Sequence, residues 1–302
     1  MPKTFVKHRS LWIMVLPGLI YLLINNYLPM FGTVIAFKDF NYTDGLWGSA
    51  WSGLKNFQFL FATQDAYVIT RNTLLYNAVF IVFNLVLALT VALLLNEIRR
   101  RVLQSVYQSI LLLPYLISFS IVGYLVYSFL SMEYGFINTA VLEKLGLPPV
   151  SWYMEAKYWP FILVLVNAWK YIGYSSVIYL AAMTGINQEY YEAARIDGAN
   201  RWKQMTRITL PLIKPVIIVM MLLLVGRIFY ADFGLFYQVT LNTGILLPTT
   251  NVIDTYVYRA LIQTGDVGMS SAAGLFQSVV GFLLVFSVNL LIRKFDRENA
   301  LF

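Results

Sequence analysis

Six long apolar runs pattern this chain, at roughly 11–37, 73–96, 105–130, 159–184, 210–236 and 272–292. Each is long enough to cross a hydrocarbon core of ~30 Å as a helix that rises ~1.5 Å per residue. The pattern predicts an all-α integral membrane protein with six transmembrane helices in a single domain over 1–302, with no linker, internal repeat or low-complexity segment to mark a second one. The first run follows a basic start and looks at first like a signal peptide. It is too long for one and lacks a small-residue cleavage site, so it reads as an uncleaved span, loosened by Pro17-Gly18 and Pro29.

The polar segment between the fourth and fifth runs, 185–209, has a pattern of its own. Asn187 is placed to cap a short helix with Glu189 in its first turn, where negative charge suits the helix dipole. Glu192, Ala193 and Ala194 continue it as good helix formers of little bulk. Asp197-Gly198 then stops it, because glycine accepts the left-handed conformation that ends helices. Asn200 is placed to cap a second helix that runs toward Pro211, with Trp202, Met205 and Ile208 at helical spacing on one face. The expectation is a helix-turn-helix knuckle with small side chains near its turn, suited to a partner's groove.

Composition agrees with the pattern. Of 302 residues, 59% are hydrophobic and only 12% charged, too apolar for an ordinary soluble domain. There is no cysteine, and the one histidine, His8, lies in the basic tail, which leaves neither a thiolate nor a histidine-based metal site or triad. The net charge of +7 points to topology rather than to nucleic acid, because the basic residues are unevenly shared between alternating polar segments. One side carries 14 of the 22: Lys3, Lys7 and Arg9, Arg99 to Arg101, Arg195, Arg201, Lys203, Arg207 and Lys214, and Arg293, Lys294 and Arg297. The other carries 6: Lys38, Lys55, Arg71, Lys144, Lys157 and Arg259. The richer side is cytoplasmic by the positive-inside rule, which puts both termini and the knuckle inside and the segments 38–72, 131–158 and 237–271 outside. The outer stretch 44–57 is rich in glycine and aromatics, and 252–263 is short and amphipathic.

Apart from Lys214 at the cytoplasmic edge of its run, three charges fall inside runs: Lys170, Arg227 and Asp232. Ionisable groups at membrane depth are costly and face a cavity or one another. Arg227 and Asp232 would lie about 140° apart on one helix, so Lys170 with Asp232 is the better pair across two helices, and an ion pair and a substrate contact are both open. Trp169, Tyr171 and Tyr174 flank Lys170, while Phe229, Tyr230, Phe233, Phe236 and Tyr237 follow Arg227. Aromatic faces with polar edges suit sugar rings, although packing against helices or lipid uses the same residues. Asn72, Asn77, Asn84, Asn167 and Gln277 add amides in or near the runs, fit to join helices. The candidate pathway set is Asn167, Lys170, Tyr174, Arg227, Tyr230, Asp232 and Tyr237.

The spacing Glu192-Ala193-Ala194, Asp197-Gly198-Ala199, Ile208, Leu210-Pro211 and Pro215 resembles the EAA loop of importer permeases in the ABC transporter superfamily. The opening Leu16-Pro17-Gly18, the Trp51-to-Phe57 element and the run Ala231 to Val239 are similar to permeases of the carbohydrate uptake class, with a MetI-like fold. Asp254 to Arg259 and Gly268 to Gly274 are similar to the LplB branch, which imports oligosaccharides. The resemblance implies a transport subunit in the bacterial cytoplasmic membrane, not an enzyme. It implies a second homologous permease, two ABC ATPase subunits that hold ATP and Mg, and an extracellular lipoprotein that delivers an oligosaccharide. It also implies that the Glu192 loop couples to the ATPase, with Glu192 either paired to a basic residue there or simply solvated. No phosphate-binding loop occurs in this chain, so ATP would be hydrolysed elsewhere. A secondary transporter would show paired repeats, and a membrane-embedded enzyme would need a nucleophile or metal cluster, and neither is evident.

Overall fold

The computed structural model describes residues 9–62 and 64–295; Lys3, Lys7, His8 and Arg297 lie outside the described residues. The chain is almost wholly helical, with β1 (Lys38–Asp39) and β2 (Ala50–Trp51) as a two-residue antiparallel pair. The main helices are α1 (Ser10–Phe37), α2 (Gln64–Asn96), α3 (Arg101–Leu116), α4 (Phe119–Leu130), α5 (Trp159–Thr184), α6 (Gln188–Ile196), α7 (Arg201–Val225), α8 (Ile253–Thr264) and α9 (Val267–Phe295). Five of them, α1, α2, α5, α7 and α9, are long and apolar enough to cross a membrane. The bent pair α3/α4, which turns by 96° at its break, makes six when it is taken as one span.

The runs read from the sequence meet these helices with two differences. The third run, 105–130, is two helices rather than one, because Ser118 caps α4 and accepts from the Ile121 N–H, restarting the ladder after Pro114 and Ile117. The fifth run, 210–236, does not stay helical. α7 begins earlier, in the knuckle, and ends at Val225. Within α7 the Leu210 N–H reaches back to Met205 O, a wide turn just before Pro211, which has no N–H of its own to donate.

Two compact units divide the chain. One takes the chain before Gln64 together with Val257–Phe276. Here Lys38 Nζ donates to the carbonyls of Leu46 and Trp47, at 2.8 and 3.2 Å, and sits over the Trp51 ring. Asn56 donates to Ala36 O and Lys38 O, and Phe37 packs against Trp51 and Phe57. The glycine- and aromatic-rich stretch 44–57 is therefore a small folded lobe closing the β1/β2 hairpin.

The other unit takes Gln64–Tyr256 and the chain from Gln277, and its spine is the pairing of α2 with α5. One cluster along it gathers Tyr76, Phe80, Val122, Trp159, Leu163, Leu235 and Phe236. A second gathers Ala88, Ala92, Leu95, Tyr179, Leu180, Met183 and Ile213. Between helices in lipid, association rests on close packing, and small residues set the crossings. A Cβ on Gly173 of α5 would lie 1.8 Å from Leu111 O of α3, and one on Gly281 of α9 would lie 2.3 Å from Gly226 O. Asn84 Nδ2 donates to Asn167 Oδ1 at 2.7 Å, tying α2 to α5.

Candidate functional site

Both candidate regions lie in the larger unit, and the knuckle forms as its sequence predicts. Asn187 accepts from the Glu189 N–H and Asn200 from the Lys203 N–H, so each helix start satisfies an otherwise orphaned donor. At the turn Gly198 has φ +75°. The Ala199 N–H returns to Ala194 O and the Gly198 N–H to Arg195 O, the paired bonds of a glycine-ended helix. Tyr191 and Thr209 share a hydroxyl bond of 2.9 Å across the two arms. Beneath α6 lies a polar cavity of about 180 Å³, lined by Asn96, Gln188, Tyr191 and Gln204 among others. Glu97, just past the end of α2, is ion-paired with Arg201 at the start of α7. Glu97 is a member of this region that sequence reasoning passed over; its signal was a lone carboxylate between an apolar run and Arg99-Arg100-Arg101.

Around its turn the knuckle presents small and polar groups, flanked by exposed Tyr190, Ile196 and Trp202. Glu192, Ala193, Asp197, Gly198 and Pro211 are exposed, and Ala194, Ala199, Ile208 and Leu210 are half-buried. The Glu192 carboxylate has no hydrogen bond or ion pair among the described residues.

The second region is the broken fifth run. After Val225 the chain takes tight turns, with the Arg227 N–H bonded to Leu224 O and the Ile228 N–H to Val225 O, and it becomes helical again only over Gly234–Val239. The backbone groups freed by the break are held by side chains. Asn77 of α2 donates to Ile228 O and Tyr230 O, Gln277 of α9 donates to Phe229 O, and the Ala231 N–H donates to Asp254 Oδ2 at 2.7 Å. Gln277 also reaches that carboxylate, and burial pushes the Asp254 carboxyl above its ordinary value. Asn77 and Gln277 are thus staples for an unwound segment rather than bolts between intact helices.

The expected pairing of Lys170 with Asp232 does not form among the described residues. Lys170 is buried and donates to the carbonyls of Pro114, Tyr115 and Ile117 at the break between α3 and α4, the first of which also accepts from the Ile117 N–H, and it lies 4.6 Å from the Phe119 ring. Asp232 accepts from the Tyr171 hydroxyl at 2.5 Å and from the Leu235 N–H. Arg227 and Asp232 are not on one helix, so the angular argument against their pairing does not apply.

A ladder of rings runs up to Asp232. Tyr174 stacks on Tyr115 at 4.6 Å, Tyr115 meets Tyr171 edge-on at 6.0 Å, and Tyr171 bonds Asp232. Tyr115 and Tyr174 are both exposed. Tyr115 belongs to this site and was not singled out in the sequence, because nothing local ties α3 to α5. Tyr230 shares a hydroxyl bond with Ser278 at 2.7 Å, and Tyr237 stacks on Phe233 at 4.8 Å. Asn167 and Phe236 are buried, the first bonded to Asn84 and the second in the core, so neither joins this surface. Among the described residues no cluster of His, Cys, Asp and Glu is arranged to hold a metal.

Residues 84–297 match the family model of the binding-protein-dependent transport system inner membrane component. The chain belongs to this family. This permease is 37% identical over 294 residues to Protein LplB of Bacillus subtilis, covering 97% of this chain and 91% of that one. It is 36% identical, over the same shares, to the polygalacturonan/rhamnogalacturonan transport system permease protein YteP of Bacillus subtilis. Its fold matches a chain of the crystal structure of a bacterial ABC transporter involved in the import of the acidic polysaccharide alginate, with a TM-score of 0.87 and 33% identity, over 97% of this chain and 98% of that one. The protein is accordingly a helical permease subunit of an ABC importer, a membrane component and not an enzyme.

Proposed function

We propose that this permease moves an oligosaccharide across the bacterial cytoplasmic membrane, in a complex with a second homologous permease and two ATPase subunits. An extracellular binding lipoprotein delivers the glycan, and ATP with Mg is bound and hydrolysed on the ATPase chains. The observation that carries the substrate class is the ladder of exposed Tyr174 and Tyr115 and half-buried Tyr171 ending on Asp232, because sugar rings offer apolar C–H faces to aromatic planes and hydroxyls to a carboxylate. In support, a second solved relative is the bacterial alginate ABC transporter in complex with an alginate pentasaccharide-bound periplasmic protein, matched with a TM-score of 0.86 at 33% identity.

In this reading the whole chain over 1–302 acts as one permease, both termini are cytoplasmic, and the knuckle faces the ATPase. Glu192 to Ala194 and Asp197 to Ala199 enter its groove, with Ile208, Leu210 and Pro211 joining the knuckle to the span. α6 ends at Ile196, ahead of the Gly198 turn, and α7 runs from Arg201 to Val225 through the wide turn before Pro211, so a tilt of the knuckle is carried along α7 to the broken segment. Arg227, Tyr230, Asp232, Tyr237 and Tyr174 then belong to the pathway, while Lys170 and Asn167 hold its walls.

The test is a purification from membranes through a tag on this chain. An ATPase chain should come with it, and oligosaccharide uptake into vesicles should stop when that ATPase is inactivated. Uptake that persists without ATP hydrolysis would overturn the reading.

A further inference from the structure

The broken segment gathers four charges, and three of them are satisfied within the protein. Lys170 is spent on the carbonyls at the α3/α4 break. Asp232 is held by Tyr171 and the Leu235 N–H, and Asp254 by the Ala231 N–H and Gln277. The fourth, Arg227, is exposed, and its guanidinium has no hydrogen bond or ion pair among the described residues. Its guanidinium carbon lies 5.9 Å from the centroid of the Tyr230 ring.

The depth of this cation decides what it faces. Tyr230 is bonded to Ser278, which lies 11 residues into α9, or ~16 Å along it at ~1.5 Å per residue. Because the outer segment ends at 271, about 10 Å of that length lies within the hydrocarbon core of ~30 Å, well inside its outer edge. An exposed guanidinium at that depth is too costly against acyl chains, so the face it shares with Tyr230 and Ser278 lines a water-filled path. The protein holds its other local charges with its own backbone and side chains and leaves a planar, two-pronged donor without a hydrogen bond there. That fork fits a carboxylate with two parallel hydrogen bonds, and the neighbouring hydroxyls of Tyr230 and Ser278 fit sugar hydroxyls.

We infer that Arg227 reads the carboxylate of a uronic acid unit, so that the glycan carried past the broken segment is an acidic oligosaccharide. This rests on the oligosaccharide reading above and deepens it. In support, the solved transporter whose fold this chain matches is involved in the import of an acidic polysaccharide.

The test uses the assembled complex in proteoliposomes with saturating lipoprotein. The probes are labelled tetramers of galacturonate, mannuronate and glucuronate, each beside its neutral form with the carboxyl groups reduced. The wild type should take up at least one acidic tetramer. Arg227→Gln should lower that uptake roughly tenfold or more relative to uptake of any transported neutral form, the scale of losing a charge-assisted pair. Yield of complex and lipoprotein affinity should match the wild type. If Arg227→Gln does not assemble, Arg227→Lys replaces it, with a several-fold fall in the ratio of acidic to neutral uptake. Equal losses on both forms, or no loss on the acidic one, would overturn the inference. A wild type that carries only neutral forms would overturn it while leaving the oligosaccharide reading in place, and one that carries no glycan at all would overturn both.

Discussion

The Lys170 ammonium donates to the main-chain carbonyl of Ile117 at 2.5 Å, from the middle of α5 into the break between α3 and α4. The bend of the third span and the lysine of the fourth are thus one feature. Carbonyls at a helix end have no intrahelical donor, and in lipid no water replaces it. Lys170→Met keeps the length of the side chain and removes the donor. It should cost about 1–3 kcal/mol for each carbonyl left unsatisfied and reduce the yield of assembled complex several-fold, read by size-exclusion of solubilised membranes. A normal yield would mean that the bend holds without its cap.

The knuckle yields a second prediction. Glu192→Ala should leave the permease folded, since the carboxylate is exposed and makes no bond among the described residues, yet uncouple lipoprotein-stimulated ATP hydrolysis from uptake. Gly198→Val should act through the backbone instead. No atom lies within 4 Å of an added Cβ, but φ +75° costs a β-branched residue roughly 1–2 kcal/mol. Both variants should lower stimulated ATPase activity at normal membrane yield, and full stimulation in both would count against docking at this turn.

Orientation can be checked separately. Ala50 lies in the small lobe and Lys203 in the knuckle, and both are exposed. Ala50→Cys should react with an impermeant thiol reagent from outside intact cells, and Lys203→Cys only after the membrane is opened, a clean readout because the chain has no cysteine of its own. Labelling of both from outside would sink the assignment of the knuckle to the cytoplasm.

At the broken segment, assembly and transport should separate. Tyr230→Ala removes the bond to Ser278 and the ring beside Arg227, and should lower uptake at normal yield of complex. Tyr171→Phe strips Asp232 of its hydroxyl donor while keeping the ring of the ladder, and Asp232→Asn retains an acceptor for the Leu235 N–H. If Asp232 serves the pathway, Asp232→Asn should assemble and transport poorly. A low yield instead would make it a structural group, and normal yield with normal uptake would remove it from the site.

The spans and the knuckle were legible in the sequence because both are local. A run of apolar residues needs no partner to declare its length. Asn187, Gly198 and Asn200 act on backbone groups within a few residues of themselves, so their roles are fixed by chain neighbours. What the tertiary structure decided is where helices stop inside the membrane and which charge meets which group. Val225 ends α7 although Ile228, Phe229 and Tyr230 keep the run apolar, because Gly226 packs its carbonyl against Gly281 and side chains from α2 and α9 take over the freed backbone. Lys170 and Asp232 share a charge complementarity that any sequence reading would pair. The carbonyls of Pro114, Tyr115 and Ile117 and the hydroxyl of Tyr171 reach them first, and those partners come from folding, not from spacing along the chain.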